Sequence, residues 1–339
     1  MVSGIPSFRG KNVPPWLVPL AGYAVSVVSL VWVFHGVDLA AILKDFTTLD
    51  WRWVSLAVAA DIFVYVWQAW RWNLLLSPVA PVPLGRSVLA IYVGLFANEL
   101  LPLRPGEYII RPYLQARWSR IPFSVALSSI IIERIFDGLW LLAAFGSITM
   151  FMPLPGFLVQ AGRLLGIVVL WMALMLAFVI FHKHKAQAAV PKTRWGPRFQ
   201  VLMEDLHLMG RSRSFYLALA ASLPYLLLQI VPVYALMRGL GLDLSLWPAA
   251  VLLVILRLGT LIPQAPGNVG AFQALTVLVL QWFGMDKTTA AGFSVMVWAV
   301  ITLPLLVAGF LALAITGMKF GELKRHAETA AATPQAGPQ

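Results

Sequence analysis

The chain contains no cysteine and little charge: only 12% of its 339 residues are Asp, Glu, Lys or Arg. The missing cysteines exclude disulfides, thiolate metal sites, cysteine nucleophiles and S-palmitoylation. The scarce charge excludes a globule coated by water, since a soluble domain carries about 25% charged residues. Acidic residues are scarcer than basic ones, 14 against 25, which leaves a formal charge of +11. A basic excess beside apolar segments points to loops facing anionic lipid on the cytoplasmic side, and no nucleic-acid motif accompanies it. A glycine-rich phosphate loop, an HExxH helix and a GxSxG elbow are also missing. No cofactor and no metal are expected. His182 and His184 stand at the end of an apolar run, and i,i+2 neighbours do not share a helix face.

What the chain does have is apolar residue, 60% of the total. It falls in runs near 15–34, 53–76, 84–101, 124–150, 164–181, 214–237, 248–262, 267–283 and 289–316. Membrane spans of about 20 apolar residues are therefore the units to look for. The first run, Trp16 to Phe34, exceeds the core of about 7–15 residues in a signal peptide and reads as a retained span. Between the first two runs, "GVDLAAILKDFTTLDWRW" has helical apolar spacing and closes on Trp51 and Trp53, which suits a short interfacial helix with aromatic anchors. The basic stretch 182–213 holds one amphipathic helix, "WGPRFQVLMEDLHLMG", and 322–339 has the composition of a disordered tail.

Two runs, 84–101 and 248–262, are short for spans and end in the same punctuation. "LLPLRPGE" (100–107) aligns with "LIPQAPGN" (261–268), sharing P-x-x-P-G. The breaks centre on Pro102, Pro105 and Gly106, and on Pro263, Pro266, Gly267 and Gly270. The runs before and after each break also correspond. The reading is an all-α polytopic membrane protein with about six full spans and two re-entrant broken helices, arranged as inverted repeats. One transmembrane domain would cover 1–321, with repeat one at about 51–150, repeat two at about 214–316 and a cytoplasmic tail at 322–339. Broken helices that meet at mid-membrane are a common transporter plan, and loose backbone is tolerated there only under protein or in a wet cavity. In this topology both termini and 182–213 are cytoplasmic, Arg71 and Arg86 are cytoplasmic cations, and Arg134 and Arg257 lie within the membrane.

Charges inside apolar runs mark the candidate site. In "SSIIIERIFDGLW" (128–140) Glu133 and Asp137 share a helix face beside Arg134. Each charge at such depth costs roughly 2.5–3.5 kcal/mol, so it must face protein or water. Arg257 has no acid within one turn, and Glu133 or Asp137 is its expected partner, ahead of Asp61 and Gln68. Arg104, Glu107 and Arg111 flank the first break. Arginine grips phosphate bidentately, so Arg104 and Arg111 are expected to receive a lipid phosphate, with Glu107 holding an arginine while the site is empty.

Three stretches, "NELLPLRPGEYIIRPYL", "SSIIIERIFDGLWLL" and "RLGTLIPQAPGNVGAFQ", resemble the membrane region of the lysylphosphatidylglycerol synthase family, a group of flippase-like membrane proteins. The resemblance covers about 15–316. The family pattern falls on Asn98, Pro102, Arg104, Gly106 and Glu107, then Glu133, Arg134 and Asp137, then Pro263, Pro266, Gly267 and Gly270. Asn268 stands where the pattern has a second glycine, and Gln273 where it has a glutamate. If that glutamate carries an ion in relatives, coupling or lipid preference should differ here. Bifunctional relatives add a soluble aminoacyl-transferase domain after the membrane part; with little chain after the last run, that catalysis is expected to be missing.

The expected function is flippase-like movement or binding of a lipid with an anionic head across the cytoplasmic membrane. The transporter role is implied by resemblance; the residues themselves imply a polar intramembrane cavity. The alternative is an intramembrane enzyme or accessory subunit in phospholipid, glycolipid, hopanoid or polyprenyl-phosphate metabolism, with Glu133 and Asp137 as acid and base. Expected partners are anionic membrane lipids, with a second copy of the chain or a lipid-biosynthesis protein as further candidates.

Overall fold

The computed structural model describes residues 17–101, 105–188, 196–259, 265–317 and 321, and every regular element within them is helical. Pro102, Arg104, Pro263 and the tail 322–339 lie outside the described residues. In chain order the helices are α1 (Leu17–Phe34), α2 (Leu39–Thr47), α3 (Trp51–Leu76), α4 (Leu84–Leu100), a π-helical turn (Gly106–Ile110) leading into α5 (Arg111–Ser119), α6 (Phe123–Phe151), α7 (Gly156–Phe181), α8 (Lys183–Ala188), α9 (Gly196–Gly210), α10 (Arg213–Leu228), α11 (Ile230–Gly239), α12 (Leu246–Gly259), a 3-10 turn (Pro266–Asn268), α13 (Ala271–Trp282) and α14 (Lys287–Thr316).

Local chemistry sets these boundaries. Asp38, Asp50 and Asp286 cap α2, α3 and α14 by accepting backbone N–H bonds, which satisfies donors that a helix start leaves open. Pro83, Pro122 and Pro155 immediately precede α4, α6 and α7, where a fixed φ and a missing N–H cost nothing. A helix is present where a short one was expected before Trp51, as α2, and another lies in the basic stretch, as α9. α7 begins at Gly156, ahead of the apolar run expected from 164.

Four of the described helices, Trp51–Leu76, Gly156–Phe181, Arg213–Gly239 and Lys287–Thr316, are long and apolar enough to cross a membrane. α6 is 29 residues long and carries Glu133, Arg134 and Asp137 at its centre. Exposed side chains on α1 and α7 are large and apolar, including Val28, Val31, Leu164 and Leu174, a surface that lipid covers better than water. The chain is an integral membrane protein of helical class.

Both broken segments fold back as hairpins. In the first, α4 and α5 lie side by side: Arg86 of α4 donates to the Trp118 carbonyl of α5, and the Gly106 N–H donates to Asn98 Oδ1 at 2.8 Å. A Cβ on Gly106 would run into the Gly94 carbonyl oxygen, and one on Gly94 would stand 2.9 Å from Gly106 O. The two glycines let the limbs cross backbone to backbone. In the second hairpin, Gly267, Asn268 and Gly270 have φ of 72°, 54° and 93°. Asparagine is the side chain that tolerates this left-handed region best, so Asn268 keeps the turn where the family pattern has glycine. Gln273 Oε1 accepts the Gly270 N–H at 2.6 Å, and Gly270 presses against the Ser26 backbone of α1. Trp298 of α14 donates to the Gly267 carbonyl at 2.8 Å.

At the centre, α3 runs antiparallel to α10–α11. Asp50 donates its N–H to Gly239 O at one end, and Trp67 donates to Ala221 O further along at 3.0 Å. α10 tolerates Pro224 and gives way to α11 at Gln229; Pro232 of α11 cannot donate to the Leu228 carbonyl four residues back and its ring crowds it, which breaks the helix there. α4 lies against α14, where Gly309 admits Phe96.

Candidate functional site

The charges of α6 meet the first hairpin and α3 in one cluster. Arg71 of α3 is fully buried. Its Nη2 lies 3.1 Å from Glu133 Oε1, and its Nη1 donates to Asp137 Oδ1 and to Ser222 Oγ of α10, the latter at 2.9 Å. Its guanidinium stacks over the Tyr225 ring at 4.3 Å. Arg111, the first residue of α5, grips the other oxygen of Glu133 at 2.6 Å and lies over the Trp72 ring at 3.9 Å. Trp72 is fixed in turn by donating to Ser129 Oγ at 2.7 Å. Arg134 joins Glu107 at 3.0 Å and Asp137 at 3.1 Å, while Glu107 also lies 3.8 Å from Arg111.

The cluster thus has three guanidiniums and three carboxylates and an inner and an outer side. Arg71, Glu133 and Arg111 have side chains 0–3% exposed, whereas Arg134, Glu107 and Asp137 are 27%, 24% and 20% exposed. Beside the outer side is a small cleft lined by Gln68, Gly94, Asn98, Glu107 and Arg111. Hydrogen-bonding capacity is left over on Gln68 and Arg111 at the cleft and on Arg71 and Arg134 in the cluster. Among the described residues, Nε of Arg71, Arg111 and Arg134, Nη1 of Arg111 and Oε1 of Gln68 are buried without a hydrogen-bond partner. Buried polar atoms ordinarily find partners, and these groups keep the capacity to take one.

Of the charges read from the sequence, Glu107, Arg111, Glu133, Arg134 and Asp137 come together. Arg71 was expected as a cytoplasmic cation; it is instead the central buried partner of Glu133 and Asp137. Its place among Trp70, Trp72 and Asn73, near the end of an apolar run, gives it the look of an interfacial anchor. Arg111 was expected at an inner gate; it is buried, and the carboxylate it holds most closely is Glu133. Arg257 of α12, for which Glu133 or Asp137 was the expected partner, is close enough for its charge to act on Asp137 and on Asp61. Arg71, Arg111 and Arg134 make the close ion pairs with the acids of α6. Asn268 and Gln273 belong to the second hairpin, and Gln273 serves there as a helix cap. Pro105, Gly106, Pro266, Gly267 and Gly270 lie just after the described ends of α4 and α12. Arg104, Pro102 and Pro263 lie outside the described residues. Sequence reasoning did not single out Ser222, Tyr225 or Trp72, because each becomes polar machinery only through a helix remote in the chain.

Residues 20–309 match the family model described as the lysylphosphatidylglycerol synthase TM region. A UPF0104 membrane protein of Methanothermobacter thermautotrophicus is 20% identical over 300 residues, covering 80% of this chain and 87% of that protein. A second such protein of the same organism is 18% identical over 293 residues, covering 80% and 86%. A UPF0104 membrane protein of Methanocaldococcus jannaschii is 25% identical over 115 residues, 33% of this chain and 34% of that one. No solved structure matches the chain.

Proposed function

From its membership of the lysylphosphatidylglycerol synthase transmembrane-region family, to which this chain belongs, we propose that it moves a lipid with an anionic head across the cytoplasmic membrane, the head passing the arginine cluster while the acyl chains stay in the bilayer. The observation that carries this reading is the unfilled guanidinium capacity of Arg111 at the cleft, with further unpartnered Nε atoms on Arg71 and Arg134 deeper in the same cluster. A phosphate cannot enter hydrocarbon without replacing its hydration, and such donors replace it. The cluster is neutral as it stands, so an anion must displace a carboxylate. Glu107 is the one placed to yield. It bridges Arg111 and Arg134 from the π-helical turn next to the break, and its side chain is 24% exposed. Moving it aside opens one side of Arg111 and of Arg134 to a phosphate while Glu133 and Asp137 still hold them in place.

The topology belonging to this proposal has six spans and two re-entrant hairpins as inverted repeats, in one transmembrane domain, with both termini and 182–213 in the cytoplasm. The hairpin folding of α4–α5 and of α12–α13 and the antiparallel run of α3 against α10–α11 support it. The chain acts here as a transporter and not as an enzyme, with membrane lipids as its partners. Glu133 and Asp137, the acids an intramembrane enzyme would use, are each held by two arginines, which supports transport over acid–base catalysis.

The test is translocation of a fluorescent phosphatidylglycerol analogue in vesicles containing the purified chain. Faster movement than in empty vesicles, reduced at least about tenfold by Arg111→Lys with the fold intact, is expected from the loss of a bidentate grip. Equal rates with and without protein would end the transport reading.

A further inference from the structure

One buried carboxylate takes no part in the cluster. Asp61 stands midway along α3 and is 6% exposed. Among the described residues it makes no hydrogen bond and no ion pair; the charge that acts on it is that of Arg257 on α12. The surrounding helices can be surveyed for other titratable groups. α3 itself presents Tyr65, one turn on. α4 brings Tyr92, within electrostatic reach of Asp61, and Glu99, within reach of Tyr65. α10 brings Tyr225, which is within electrostatic reach of Tyr65 and stacks on Arg71. The charges of α6 are engaged in the cluster, Arg238 of α11 pairs with Asp243, and α14 has no charged residue after Lys287. Among the described residues, the cation within electrostatic reach of Asp61 is Arg257 of α12, and the phenols of Tyr65 and Tyr92 are within reach as well.

A carboxylate at mid-membrane without a hydrogen bond carries a desolvation cost that uptake of one proton removes. Its helix also connects it to the cleft. Asp61, Tyr65 and Gln68 follow i, i+4, i+7 on one face, and Gln68, about 10 Å along by the helical rise, lines the cleft with an unpartnered Oε1. Resting on the lipid-transport reading above, we infer that Asp61 is a proton-binding site through which the chain couples lipid movement to a proton gradient. Ionised, Asp61 attracts Arg257 and draws α12 toward α3. Having taken a proton from the water on one side, it is neutral and releases Arg257; the proton later leaves to water on the other side. Two positions of the second hairpin, biased by one proton, are sufficient for coupling, because a ligand shifts a two-state equilibrium by its difference in affinity for the two states.

Two measurements on the full chain in vesicles test this. Infrared difference spectra across a pH titration should show a protonated-carboxyl band that Asp61→Asn abolishes and Asp61→Glu retains in shifted form. A transmembrane pH gradient should change the rate of movement of the phosphatidylglycerol analogue in the parent, and that response should vanish in Asp61→Asn. A band unaltered in Asp61→Asn would overturn the inference. So would lipid movement in the parent that ignores the gradient, while leaving the transport reading intact. A titrating band lost in Asp61→Asn, in a parent that moves no lipid, would keep the proton site and remove the lipid cargo.

Discussion

Arg71 is the residue on which the buried charges depend. It alone contacts both Glu133 and Asp137 from a fully buried position. Arg71→Met should destabilise the protein by about 3–5 kcal/mol, because both acids lose a buried partner. Adding Glu133→Gln and Asp137→Asn should return part of that loss. Thermal unfolding in detergent reads both effects, and a triple variant no more stable than Arg71→Met would contradict the assignment. The acids of α6 were legible in the sequence, since a charge deep in an apolar run must be explained. Arg71 was not, because an arginine among tryptophans near a run's end has the signature of a lipid-facing anchor. Its true role depends on α6 and α10, which lie far away in the chain. Gln273 was legible as a departure from the family pattern, but its role as an acceptor for the Gly270 N–H needed the turn geometry.

Among the elements, the two breaks could be read directly from P-x-x-P-G. What the motif concealed was the reason for its glycine, a backbone crossing between Gly106 and Gly94. Gly106→Ala has no space for its methyl group and should cost at least about 1–3 kcal/mol. Gly146→Ala in α6 meets nothing within 4 Å and should instead stabilise by about 0.5–1 kcal/mol, as expected for a helical site. Similar unfolding midpoints for the two variants would refute the crossing as the reason for the glycine. The start of α14 offers a pH test. Asp286 accepts the Thr289 N–H at 2.9 Å, and that bond holds its carboxyl below the ordinary aspartate range. The cap is therefore fully present above the ordinary value, near 3.9, and is lost as pH falls through the lowered folded value. Asp286→Ala should cost about 1 kcal/mol at neutral pH, and the difference from the parent should shrink in strong acid. A difference independent of pH would contradict the cap. The limits of α7 were less legible, since Pro155 starts the helix ahead of the main apolar run.

For the whole molecule, the order of segments was legible because each break lies between two long apolar runs. The antiparallel contact of α3 with α10–α11 was not, because packing partners in lipid are selected by shape and small residues and not by hydrophobicity. The proposed topology predicts that single cysteines introduced into this cysteine-free chain at residue 11 and within 182–213 react only with reagent on the cytoplasmic side. Labelling of residue 11 from outside alone would require a different number of crossings. The central claim is that a lipid phosphate meets arginines inside the membrane. Solid-state NMR recoupling between lipid phosphorus and isotope-labelled arginine guanidiniums measures that encounter most directly. The prediction is a phosphorus contact in the parent that is lost in Arg111→Lys and strengthened in Glu107→Gln, where the competing carboxylate is gone. Identical phosphorus couplings in the parent and both variants would show that phosphate reaches only the surface arginines, and would contradict the account.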